Sequence, residues 1–217
     1  MAKWNRPWMR VTVFAICVSM LLLACAPQAS PPTSTPAGTQ EGEVYKIGFM
    51  AAITGSSAFL GEPEGNAARM VQQQLDAQDG IVGPDGVRHK VQIVIYDTQG
   101  SGDVAIPLAK KLIDDDKVIT VVGGTVSPVS LALVPIMQEA KIPYISMASS
   151  SQIVEPASEH YWVFKTAQSN KHTAPLQIRY VKAKGLTKVA NLYVNNSYGE
   201  DGRNAIREAA EAEGVEI

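Results

Sequence analysis

Within residues 118–151, two β-branched apolar runs, 118–122 and 142–147, each lead straight into a cluster of small and hydroxyl-bearing residues. The segment between them opens Ser127-Pro128, a helix start with Ser127 as N-cap and Pro128 at the first helical position. Strand, small polar loop, helix, strand, small polar loop is the pattern of a βαβ unit, and few other arrangements accommodate it. Ligands of such sheets sit just outside the carboxyl ends of the strands. Ser127 and the loop Ala148-Ser149-Ser150-Ser151 are therefore candidates for the floor of a binding site.

The same alternation runs through the chain from residue 44. A strand is expected over 44–51 and a Gly/Ser-rich loop over 53–61. A helix follows over 63–78, with Ala67, Val71 and Leu75 on one face and Asp79-Gly80 to stop it. Gly83-Pro84-Asp85-Gly86 marks a turn. A strand over 91–96 and a helix over 103–115 come next, with Pro107 set to shift that helix's start. Beyond 151 the pattern predicts a strand at 163–166, a helix at 170–184, a strand at 188–194 and a helix at 200–213 ended by Gly214. Together these imply a parallel sheet with helices on both faces. The chain closes on Val215-Glu216-Ile217, which reads as the opening of another strand, so the second run of strand–helix steps is expected to be unfinished.

The first 24 residues belong to a different category. Lys3, Arg6 and Arg10 precede an apolar run over 11–24. At about 14 residues it is shorter than the roughly 20 needed to span a bilayer, and it reads as an export signal. The run ends Leu22-Leu23-Ala24-Cys25, which looks like a lipobox, the bacterial signal for cleavage before a cysteine that then carries lipid. An ordinary signal peptide with a chance cysteine is the alternative; the cysteine's place at the end of the run favours lipidation of Cys25. Residues 25–43, dominated by Pro, Ser and Thr after the cysteine, are expected to be a disordered tether. Removing the signal takes three of 19 basic residues, leaving 16 against 21 acidic ones and a net charge of −5. Without a basic cluster, nucleic acid is not an expected partner. Cys17 leaves with the signal, so the folded part has no cysteine for a disulfide and relies on its apolar core.

No arrangement of residues points to catalysis. His89, His160 and His172 are scattered without ligand-spaced partners and read as surface residues, and no metal site is expected. Asp114-Asp115-Asp116 reads as a solvated helix end. Gly123-Gly124 follows a strand, but the third glycine of a dinucleotide fingerprint is absent, so no nucleotide or other cofactor is expected. Binding is better supported. The loops at the strand ends carry Thr54, Gly55, Ser56 and Ser57, then Thr98 and Gly100, then Thr125 and Ser127, then Ser149, Ser150 and Ser151. Hydroxyls donate and accept, and a helix N-terminus at Ser127 suits a carboxylate. Ser127 taken alone is equally well read as a helix cap.

Several short motifs, in order, carry a resemblance. They are Lys46-Ile47-Gly48 with Thr54-Gly55 and Gly61, Asp79-Gly80-Ile81-Val82-Gly83, Tyr96-Asp97-Thr98, Gly123-Gly124 with Ser127, Ile142-Pro143-Tyr144-Ile145-Ser146, and Tyr198-Gly199. Over residues 44–217 the chain resembles the leucine/isoleucine/valine-binding type of periplasmic solute-binding protein. The resemblance implies an α/β fold of the periplasmic binding protein type I, two Rossmann-like lobes with parallel sheets that close on a ligand. Residues 44–165 would form the first lobe and 166–217 the start of a second, truncated one. It also implies a non-enzymatic, extracytoplasmic receptor, lipid-anchored to a membrane, that hands an amino acid or similar small polar metabolite to an ABC permease. By position Ser127, Ala148 and Ser150 match the residues that hold the ligand's carboxylate and ammonium, with Ser149 beside them. Tyr198 matches the second-lobe tyrosine that covers the ligand, and Phe59-Leu60 sit where the family often has an aromatic at the first-loop mouth. The second-lobe carboxylate that pairs with the ammonium would lie beyond Ile217. Two other readings remain open: a ligand-sensing module of a signalling receptor with the same fold, and an extracytoplasmic enzyme on a flavodoxin-like scaffold. With one wall of the cleft unfinished, the 217-residue chain alone is expected to bind weakly or not at all.

Overall fold

The computed structural model describes residues 42–217. The expected signal peptide at 1–24, the lipidation expected at Cys25 and the expected tether up to residue 41 lie outside the described residues. The elements are β1 (Tyr45–Ala51), α1 (Ala58–Ala77), β2 (Ile81–Val82), β3 (Arg88–His89), β4 (Val91–Asp97), α2 (Gly102–Asp114), β5 (Thr120–Gly123), α3 (Ser127–Ala140), β6 (Tyr144–Ser146), β7 (Val163–Lys165), α4 (Asn170–Ala183) and α5 (Ser197–Glu213), with one 3-10 turn at Ser151–Ile153. β1 and β4–β7 form one parallel sheet in the order β4-β1-β5-β6-β7, and β2 and β3 form a small antiparallel hairpin.

Period-two alternation sorts the strand residues onto two faces. Met50, Val94, Tyr96 and Val121 face α2 and α3, where they meet Ala105, Ala109, Leu112, Val129, Leu133 and Met137. Their neighbours Phe49, Ala51, Ile93, Ile95 and Val122 face the other way, onto Ala68 of α1. Both faces are thus covered, which is what a parallel sheet requires. A third cluster, Ala174, Ile178, Ala205, Ala209, Ala210 and Val215, packs α4 against α5. α4 contributes Ala174 and Ile178 to this cluster, with Val181 packed against it.

Several expectations are corrected. α1 starts at Ala58, not 63, because Gly61 lets the helix run close over the end of β1; a Cβ there would lie 2.2 Å from the Ala52 carbonyl oxygen. Pro107 sits inside α2 without displacing its start at Gly102. The strand expected over 188–194 does not form. Lys188 makes one parallel bridge to Glu216, and beyond it Leu192 is 99% exposed, so that segment's apolar residues have no sheet neighbour among the described residues. The last two residues of the expected tether, Gly42 and Glu43, are hydrogen-bonded to the folded part. The Gly42 N–H donates to the Arg88 carbonyl, and the Glu43 carbonyl accepts from His89 Nδ1 at 3.0 Å. His89 is accordingly not a surface residue. It is 5% exposed, stacks on Tyr45 and sits 3.1 Å from the Asp85 carboxylate, clasping the β2–β3 hairpin to β1.

Candidate functional site

β4 lies on one side of β1 and β5 on the other, so the strand order reverses at β1. The crevice at the carboxyl ends of β1 and β5 is a topological switch point, the usual ligand position of open α/β sheets. The loops after β1, β4, β5 and β6 meet around it.

The first is held by Asp97 at the end of β4. One carboxylate oxygen accepts from the N–H groups of Ile53, Thr54 and Gln99, and the other from the Thr54 hydroxyl. Burial works to raise the Asp97 carboxyl, but these donors outweigh it and hold the group below the usual carboxylate range. Thr54 and Thr98 therefore tie loops together: Thr98 is fully buried, and its N–H donates to the Ala51 carbonyl.

The β5 and β6 loops are joined by a relay whose direction follows from counting protons. The Ala148 N–H donates to Ser146 Oγ at 3.1 Å, so the Ser146 proton is free to go to Ser130 Oγ at 2.8 Å, and Ser130 in turn donates to the Gly124 carbonyl at 2.7 Å. The Tyr144 hydroxyl lies 3.1 Å from both the Gly123 carbonyl and Ser130 Oγ. Burial pushes its pKa up to about 12, so it remains a donor. Gly124 is required above this cluster. Its φ is +74°, and a Cβ would lie 2.3 Å from both Ser130 Oγ and Tyr144 Oη. The glycine pair weighed as a nucleotide signal is explained by this close approach.

α3 begins with Ser127 as its first residue and Val126 as its N-cap, one position earlier than expected. Ser127 does not cap the helix. Its Oγ accepts from the Ser150 N–H at 3.2 Å, which leaves its own proton without a partner among the described residues. The first turn of α3 adds N–H groups with no intrahelical acceptor and the positive end of the helix dipole.

These parts line a cavity of about 350 Å³, inside the roughly 300–1,000 Å³ range of small-molecule sites. Ser127 and Pro128 of α3 line it, as do Met147, Ala148 and Ser149 after β6, and Leu60 and Glu64 of α1. Asn196 and Tyr198 border it from α5. The Asn196 side chain caps that helix, accepting from the N–H groups of Tyr198 and Gly199, and leaves Tyr198 46% exposed at the cavity. Four of the five expected ligand residues, Ser127, Ala148, Ser149 and Tyr198, thus share one cavity. Ser150 does not line it. It is fully buried behind Ser127, its N–H committed to that serine and its hydroxyl without a partner among the described residues. Leu60 reaches the cavity, whereas Phe59 is 75% exposed and does not line it.

Three residues that the sequence reading passed over support or complete the site. Lys165, at the end of β7, donates to the carbonyls of Ser149 and Ser150 and to Ser169 Oγ, fixing which way that loop presents its peptide groups. Burial lowers its ammonium below the usual lysine range, against the pull of Asp201 and Glu155. Asp201 of α5 is buried and binds the Ser151 N–H and hydroxyl and the Asn170 amide, so it joins the end of the β6 loop to α4 and α5. Glu64 accepts from the Thr125 hydroxyl at 2.6 Å inside the cavity, and burial raises its carboxyl above the usual range although that hydrogen bond works the other way. Its one sequence signal was an acidic residue three positions after Gly61, on the side of α1 that faces the switch point. Among the described residues no cluster of His, Cys, Asp and Glu could hold a metal ion, and no helix is long and apolar enough to cross a membrane.

Comparison with known proteins agrees with this geometry. An amino acid binding protein of Pseudomonas aeruginosa is 27% identical over 164 residues, covering 74% of this chain and 42% of its own length. A Leu/Ile/Val-binding protein homolog of Brucella abortus is 25% identical over 187 residues, 85% of this chain and 45% of its own. A solute binding protein of an ABC transporter from Rhodopseudomonas palustris, solved with 3,4-dihydroxybenzoic acid, superposes with a TM-score of 0.69 at 26% identity, over 80% of this chain and 46% of that one. The chain spans less than half the length of these relatives. The five-stranded α/β sheet is that of the periplasmic binding protein type I. Residues 44–217 match the periplasmic binding protein family along their whole length, and the chain belongs to that family.

Proposed function

We propose that the chain carries the carboxylate-gripping part of an extracytoplasmic receptor that binds a small organic acid, an amino acid above all, for delivery to an ABC permease. The observation that carries this reading is the cavity at the switch point, where the unpartnered Ser127 proton and the first turn of α3 form a donor pole. A carboxylate placed there accepts from both without displacing an existing hydrogen bond. Ala148 and Ser149 supply backbone and hydroxyl contacts on a loop held by Lys165, and Tyr198 borders the cavity from the start of α5. The Ser150 hydroxyl behind Ser127 is a buried polar group without a partner, poised to engage a ligand on a small movement of the loop. The relatives named for amino acids and for a hydroxybenzoate complex share a carboxylate and differ in the rest of the ligand. The export signal and Cys25 support anchoring outside the cytoplasm by lipid.

Thermal-shift screening of the full-length protein against amino acids, hydroxybenzoates, amides and urea tests the reading. A ligand at 100 times its Kd adds about 2.7 kcal/mol. Carboxylates should stabilise, and Ser127→Ala should weaken them by about 1–3 kcal/mol. Stabilisation by urea or neutral amides alone, or an affinity unchanged in Ser127→Ala, would sink the carboxylate reading.

A further inference from the structure

The cavity that holds the donor pole also has an acceptor pole, and its arrangement narrows the ligand class. Among the described residues Glu64 is the only carboxylate lining the cavity, and no Lys, Arg or His lines it. The Ala52 N–H donates to Thr125 Oγ1 at 2.9 Å, which leaves the Thr125 proton directed at Glu64 Oε2 at 2.6 Å. Thr125 is 7% exposed, so this donor cannot swing away to solvent at little cost. One Glu64 oxygen is thereby occupied and the side chain is held in place. The other oxygen takes no hydrogen bond, and the carboxylate no ion pair, from any described residue. A half-buried carboxylate without a cation is unfavourable by itself, as the upward shift of its pKa shows. Such a group is retained where something else completes it.

We propose that Glu64 is a specificity-determining residue that receives a cationic nitrogen of the ligand, so that the site selects acids that also carry an ammonium group. The assignment rests on the binding function proposed above and adds the second of its two poles. It places a carboxylate for the ammonium on α1, within residues 44–165, independent of any carboxylate supplied from elsewhere. The Thr125 hydroxyl acts as a positioning group. By donating to Oε2 it keeps Glu64 an acceptor and directs the remaining lone pairs toward the ligand space.

The test uses the complete protein, not the 217-residue chain alone, and its Glu64→Gln variant, which keeps an acceptor for Thr125 and removes the charge. Calorimetry is run with four probes: L-leucine, whose ammonium is next to the carboxylate; 5-aminopentanoate, whose ammonium is at the far end; and 4-methylpentanoate and 4-hydroxybenzoate, which have none. The first two report whether an α-ammonium or a terminal one is read. The expected result is that the wild-type chain prefers an ammonium-bearing probe, and that Glu64→Gln weakens it roughly ten- to a hundred-fold. The probes without ammonium should change by less than about three-fold, because they never meet the charge. Equal loss for all probes, or none for any, would overturn the assignment. Wild-type preference for 4-hydroxybenzoate or 4-methylpentanoate would overturn it while leaving the carboxylate-binding reading intact, and failure of all four to bind would remove both. Thermal unfolding without ligand gives an independent readout. Glu64→Gln should raise the Tm at neutral pH if the charge is waiting for a partner, and a lowered Tm would make Glu64 a structural support for Thr125 and overturn the proposal.

Discussion

Ser130 and Tyr144 are both fully buried beneath the cavity, and both hydroxyls touch the same cluster, yet their removal should have unequal effects. In Tyr144→Phe the Gly123 carbonyl keeps the Met147 N–H, and Ser130 Oγ keeps the Ser146 proton. No group is orphaned, so the cost is that of one net hydrogen bond, about 1 kcal/mol. In Ser130→Ala two groups lose their partners at once: the Gly124 carbonyl loses its donor and the Ser146 proton its acceptor. The space left by one oxygen atom is too small for a water to repair them. Two orphaned buried groups at about 1–3 kcal/mol each put the cost at about 2–6 kcal/mol. For a chain of this size 1 kcal/mol corresponds to about 2–4 °C of Tm, so calorimetric unfolding should separate the two variants clearly. Tyr144→Phe should lose about 2–4 °C, and Ser130→Ala about 4–24 °C. Equal losses, or the reverse order, would mean that the relay does not run from Ala148 through Ser146 and Ser130 to Gly124.

Asp97→Ala should destabilise the chain by about 1–3 kcal/mol at neutral pH, since three N–H groups and one hydroxyl lose a shared acceptor. Because the Asp97 carboxyl is held below its ordinary value, its stabilisation is present above the unfolded pKa of about 4 and is lost as pH falls through the lower, folded value. The gap between wild type and variant should therefore be flat above about pH 5 and close below about pH 4 in urea titrations; a gap that widens on acidification would reverse the sign. Gly124→Ala and Gly214→Ala form a second pair, both with φ near +70°. The first adds a clash with Ser130 and Tyr144, while nothing lies within 4 Å of the second. Gly214→Ala should cost about 1–2 kcal/mol from backbone conformation alone and Gly124→Ala about 3 kcal/mol or more, measured by the same unfolding.

The sheet was legible because each βα step carries its own local signals: a β-branched run, a small polar loop, a helical period. The segment 188–194 has the same local signals and still forms no strand, since a strand also needs a lateral partner, and Lys188 finds only Glu216. The site was legible in a similar way and to a similar limit. Residue types located the hydroxyl-rich loops, but a serine that locks two loops together and one that offers a proton to a ligand are the same letter. What separates them is where each proton goes. Ser146, Ser130 and Thr125 each accept from one neighbour and pass their proton to another protein group. Ser127 accepts from Ser150 and passes its proton to nothing among the described residues. The three relays end differently as a result. One ends on the Gly124 carbonyl and is closed, one ends at Ser127 with a spare donor, and one ends at Glu64 with a spare acceptor. The last two face the same cavity with opposite polarity, and a ligand with one acidic and one basic group would complete both. No single position in the sequence carries that polarity. It arises only when α1 sets Glu64 against Thr125 and the β6 loop sets the Ser150 N–H against Ser127.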